Sequence, residues 1–219
     1  MIRFAKVGLL TAFALLLTGM GSSFAIASTM SINYTADNIV NSLSVIQGST
    51  TTSVALGANY DNFGLDDSAT ITGINSSKAF DVVFNVSNSG TNSFDNPAGL
   101  LAQINYNGYT FDSGVNTSLV TWQYSVDGST WSSITTYGTN GGKTGLGAIW
   151  TNGNGGKSIS GIDTSAEWIW SAGNFTSSGA NQLYLRAQID PVPEAGTVFL
   201  FGAGLLGFGF FRLRKRTGC

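Results

Sequence analysis

Histidine is absent from the 219-residue chain, and its single cysteine, Cys219, is the last residue. Ser-His-Asp and Cys-His catalytic arrangements are therefore excluded, and zinc loses its usual ligands. No disulfide can staple the body internally. Positive charge is equally scarce. Between Ser28 and Asp190 the only basic residues are Lys78, Lys143, Lys157 and Arg186, against eleven acids. Four against eleven leaves this stretch at −7, although the whole chain sums to −2. A body of that charge repels phosphate backbones, which excludes nucleic acid as a partner. Lys and Glu, both strong helix formers, are nearly missing from the body, while Asn, Ser, Thr and Gly abound. Turn formers without helix formers favour short strands.

The 163 residues from 28 to 190 suffice for one domain with a hydrophobic core. Several stretches alternate as half-buried strands do. Phe80, Val82, Phe84 and Val86 share one face, Val120, Trp122, Tyr124 and Val126 another, and Leu183, Leu185, Ala187 and Ile189 a third. Weaker strand patterns cover 32–35, 43–46, 51–56, 69–74 and 100–106. Asp127-Gly128 reads as a hairpin turn returning through Trp131. Eight or more short strands in one domain predict an all-β fold, a single β-sandwich of jelly-roll type.

Both ends of the chain differ from this body. Arg3 and Lys6 precede an apolar run over 7–20, and Ala25-Ile26-Ala27 supplies the small-x-small pattern read by signal peptidase. Residues 1–27 are expected to be a cleaved signal peptide, with a mature start at Ser28. At the other end, Pro193-Glu194-Ala195 leads into an apolar run over 195–211, followed by Arg212, Arg214, Lys215 and Arg216. At 1.5 Å per residue that run spans about 25 Å, near the lower limit for crossing a bilayer. Its five glycines, Gly196, Gly202, Gly204, Gly207 and Gly209, weaken the helix, which suits a temporary anchor. The basic end holds to the cytoplasmic side.

Motif, short span and basic end in this order resemble the PEP-CTERM sorting signal of Gram-negative bacteria, here over 191–216. Pro193 and Glu194 match that motif, and Ala195 takes its third place. The resemblance implies an exosortase as processing partner, transient residence in the inner membrane and delivery to the cell surface. The body carries a second resemblance, to a galactose-binding-like jelly-roll module of the kind found in bacterial α-rhamnosidases and other PEP-CTERM proteins. It rests on Tyr34-Thr35-Ala36-Asp37-Asn38, Phe80-Asp81-Val82-Val83-Phe84-Asn85-Val86, Asn96-Pro97-Ala98-Gly99-Leu100-Leu101-Ala102 and Ala166-Glu167-Trp168-Ile169-Trp170-Ser171, followed by a closing strand through Leu185-Arg186.

Other motifs carry less. Gly202-Ala203-Gly204-Leu205-Leu206-Gly207 satisfies GxGxxG but lies inside the apolar run, with no acid following. Asn140-Gly141-Gly142-Lys143-Thr144 and Asn154-Gly155-Gly156-Lys157-Ser158 form a near-duplicate pair. Neither has the first glycine of a phosphate loop, so both read as turns or as parts of a mobile loop over 137–162. Asp61, Asp66 and Asp67, close to Asn62 and Gly64, favour a solvated turn; the alternative is calcium, which their oxygens suit although the spacing is not that of an EF-hand. Most tryptophans belong in a sandwich core; the alternative reading makes Trp150, in the glycine-rich loop, an exposed platform for stacking on sugar rings. Glu167 with Asp163 or a 61–67 aspartate would be the carboxylate pair of a glycosidase. The favoured expectation is a protein without catalysis or cofactor, a structural or carbohydrate-associating component of the exopolysaccharide layer. A glycan-active enzyme and a calcium-dependent adhesin are the alternatives.

Overall fold

A computed structural model describes residues 27–93, 96–171 and 181–192. The chain forms β1 (Ala27–Asp37), β2 (Ile39–Gln47), β3 (Thr50–Val54), β4 (Asp67–Asn75), β5 (Phe80–Ser87) and β6 (Gly99–Tyr106). There follow β7 (Tyr109–Asp112), β8 (Val120–Ser125), β9 (Ser132–Ser133), β10 (Thr135–Thr139), a short helix α1 (Gly147–Gly153), β11 (Glu167–Trp170) and β12 (Gln182–Ile189). Two antiparallel sheets result. The first has the order β10-β11-β6-β1-β4, with β7 also on β6; the second runs β3-β2-β5-β12-β8-β9. The body is thus an all-β sandwich. The expected signal peptide, including Ala25, and the sorting tail from Pro193 onward lie outside the described residues. Ala27 opens β1.

Alternation explains the core. Cross-strand partners share a face, and successive residues take opposite faces. In the first sheet Met30, Ile32, Tyr34 and Ala36 pair with Tyr106, Ile104, Ala102 and Leu100, all essentially buried. In the second, Phe80, Val82, Phe84 and Val86 pair with Ile189, Ala187, Leu185 and Leu183. Tyr34 meets Phe84 edge-on at 5.7 Å between ring centroids, which ties the two sheets together. Across the solvent side of β12, the Arg186 guanidinium bonds Asp81 at 3.1 Å and Gln123, and lies 4.2 Å over the Trp131 ring.

The first sheet is also covered on its other face. Thr35 and Leu101 are register partners there, and both are buried. Ile169 pairs with Leu100 and so shares its inter-sheet face, which sends Trp168 to the covered side. There Trp168 stacks on Trp150 of α1, with centroids 4.5 Å apart and planes 10° from parallel. Gly99 makes this second apolar layer sterically feasible, because a Cβ at that position would lie 2.9 Å from both indoles.

Two turns differ from the sequence reading. Asp127-Gly128 does not form a two-residue hairpin; residues 126–131 link β8 to β9, and Val126 is exposed. Asp127 organises that loop by accepting from the backbone N–H groups of Thr130 (2.9 Å) and Ser129 (2.8 Å) and from the Ser125 hydroxyl (2.7 Å). Those donors hold its carboxyl below the ordinary carboxylate range. The segment over 137–162 contains α1 and is pinned by a buried asparagine, so it is neither a pair of hairpins nor unstructured.

Gly99→Ala is expected to destabilise the body by about 1–3 kcal/mol through overpacking against Trp150 and Trp168. Urea unfolding followed by tryptophan fluorescence checks this, and an unchanged midpoint would contradict the packing described.

Candidate functional site

Trp150 is not the exposed platform that its glycine-rich neighbourhood suggests. It is 2% exposed, stacked on Trp168, and its indole N–H donates to Asp37 Oδ2 at 3.0 Å. The cause is tertiary: Gly99 leaves a slot that an aromatic ring fills, and Asp37 supplies a buried acceptor for the polar edge. Asp37 also accepts from the Asn38 amide. Burial pushes the Asp37 carboxyl up to about 6, partly opposed by the Trp150 hydrogen bond.

Asp61, Asp66 and Asp67 do not converge as calcium ligands. Asp67 opens β4, is buried, and accepts from the Asn59 N–H at 3.0 Å through Oδ1. Asp66 turns toward Gly161, whose missing side chain leaves room for its carboxylate, and Asp61 is exposed. Asp66 precedes β4 and lies against Gly161, whereas Asp67, the first residue of β4, packs against Gly57 and Asn59. Among the described residues no three acidic, cysteine or histidine side chains gather as a metal site. The second oxygen of Asp67 has no hydrogen-bond partner among them.

The near-duplicate segments do come together. Asn140, 2% exposed, reaches across to the region of the second copy. Its amide nitrogen donates to the carbonyls of Ile159 (3.0 Å) and Ile162 (2.7 Å), and its oxygen accepts from the Ile159 N–H at 2.7 Å. Its own N–H donates to Ala166 O at 2.8 Å, joining the loop to the run into β11. Gly141 has φ +80°, and a Cβ there would sit 3.0 Å from that of Ser158. Glycine therefore serves both the left-handed backbone and the close approach of the two copies.

Between them lies an open cleft of about 450 Å³, lined by Lys143 and Lys157 with Thr139, Ser158 and Thr164. Both lysines are exposed, and among the described residues neither forms an ion pair. Of the body's other two cations, Arg186 is taken by Asp81 and Lys78 lies in the loop after β4. In an acidic body this hollow brings two lysines together and is rimmed with hydroxyls, while Lys78 lines a separate hollow with Thr50, Thr52 and Thr72. The duplication was legible in the sequence but read as turns or a mobile loop, and nothing local showed that Asp37 would accept from a buried indole or that Asn140 would tie the two copies together.

Because the folded state holds the Asp37 proton more tightly than the unfolded chain, with its ordinary value of 3.8, this group favours folding most at low pH. Its contribution is lost as pH rises through about 6, a change of about 3 kcal/mol. Asp37→Asn, which keeps an acceptor for Trp150, is expected to stabilise the protein at pH 7.5 by up to about that amount and to change little at pH 3.5. Urea titrations across this range check the sign; a gap that does not widen with pH would refute it.

A family model described as the PEP-CTERM protein-sorting motif matches residues 191–215. No curated protein and no solved structure matches the chain. Among the described residues no helix is long and apolar enough to cross a membrane, and the expected span over 195–211 lies outside them. The β-sandwich is therefore the body of a chain whose C-terminus carries the signal for exosortase sorting, the membrane-anchored export route to the cell surface.

Proposed function

We propose that this is a non-catalytic, carbohydrate-associating surface protein of the exopolysaccharide layer, with a galactose-binding-like body and the twin-loop cleft as its glycan seat. The convergence of Lys143 and Lys157 on one hollow carries the reading. In a body of net charge −7, two free ammonium groups beside hydroxyls suit a sugar polymer bearing carboxylates. Acidic side chains are missing from the cleft lining, where a glycosidase would need a facing pair. Trp150 and Trp168 spend their faces on each other, so recognition through them by stacking is disfavoured. Salt sensitivity follows from the exposed charges.

Binding of the surface-recovered protein to polygalacturonate is expected to exceed binding to dextran and to weaken with added salt. The pair Lys143→Gln and Lys157→Gln is expected to lower that affinity about tenfold, from under about 1 kcal/mol per exposed contact, with an unchanged melting temperature. Equal affinity in the double variant, or preference for dextran, would remove the cleft from the proposal.

A further inference from the structure

The two connections between the body and its targeting segments lie side by side. Ala27 pairs with Asn75 at the last position of β4, and the Val192 N–H donates to the carbonyl of Ser76 at 3.1 Å. Adjacent antiparallel partners are about 5 Å apart, so the expected signal-peptidase boundary and the start of the sorting motif are separated by on the order of 10 Å. The body is also folded right up to the motif. Asp190 N–H donates to Leu119 O at 2.9 Å, Val192 is 2% exposed, and Pro193 is the next residue in the chain.

This end of the sandwich is braced. The Asn75 carboxamide accepts from the Ser77 N–H and hydroxyl at 3.0 and 2.7 Å. Gln47 donates to the carbonyls of Asn75 and Lys78 and accepts from the Asn75 N–H. Thr117 caps the start of β8 through the N–H groups of Leu119 and Val120. It is also depleted of acids. Strand register places Asp37, Asp67 and Asp127 toward the middle or the opposite end, and Asp81 beside it is neutralised by Arg186. Among the described residues of that end, Asp190 and Lys78 then offset each other, although the body as a whole carries −7.

We infer that this end, formed by the 75–79 loop, the 116–119 turn and the close of β12, is the docking face that the body presents to the membrane-embedded exosortase. With Pro193 adjoining a buried, hydrogen-bonded Val192, an enzyme that reads the motif meets the sandwich end at the same time. A braced and nearly neutral face lets an acidic body approach an anionic bilayer and the enzyme within it. The inference rests on the sorting reading.

Pulse-chase of the full chain in its exporting host, scoring conversion to the shorter surface form, tests both. Ala79→Glu with Ser118→Glu is expected to slow conversion about fivefold, from about 0.5 kcal/mol of repulsion per exposed charge, without altering the melting temperature. Ser89→Glu with Thr91→Glu adds the same charge at the opposite end and is expected to leave the rate unchanged. A ten-residue Gly-Ser insertion between Asp190 and Pro191, which leaves the matched 191–215 stretch contiguous, is expected to restore the rate of the slowed variant. Equal rates for the two pairs, or no rescue by the insertion, overturn the docking face while leaving sorting intact. A wild-type chain that keeps its tail overturns the sorting reading and the inference together.

Discussion

The pairing of β12 between β5 and β8 is the constraint on which the rest of the body depends. The last strand of the domain lies in the interior of the second sheet, matched to β5 from Gln182↔Ser87 to Ile189↔Phe80 and to β8 from Tyr184↔Ser125 to Ile189↔Val120. Without it the second sheet is two separate pieces, and the inner faces of Leu183, Leu185, Ala187 and Ile189 are missing from the core. The sandwich therefore cannot be completed until the chain is available almost to the sorting motif. Non-local pairing of this kind makes for slow folding.

The second organising element is the apolar layer on the outside of the first sheet. Gly99 opens a slot, Trp150 and Trp168 fill it, and Asp37 accepts the indole hydrogen bond. That arrangement anchors α1 and with it the segments on either side. Asn140 then ties the first glycine-rich copy to the approach of the second, and their lysines share a cleft.

How far the fold was legible depended on the kind of strand. The aliphatic alternations over 80–86, 100–106 and 183–189 appear as β5, β6 and β12 because a two-residue period matches a half-buried sheet. The short polar strands β7, β9 and β10 had no comparable signal, since pairing to neighbours defines them more than burial does. Helix α1 was not legible either. Its Gly147 and Gly153 ends argue against a helix, and tertiary docking of Trp150 outweighs that propensity. The same docking overturns the exposed reading of Trp150. The three loop aspartates could be read as a ligand set because they are close in sequence, but Asp66 lies against Gly161 and Asp67 against Gly57.

Export addressing and fold class were determined by the sequence alone. A sorting motif is read as a contiguous string, and strand alternation and net charge are local or additive properties that need no coordinates. Tertiary structure alone decided that Trp150 is buried, which lysines meet and where the two ends of the body lie. Those outcomes turn on contacts such as Trp150 with Asp37, 113 residues apart, and Ala27 and Val192 at one loop. Contacts at that separation follow from strand register and steric room, which no window of neighbouring residues encodes.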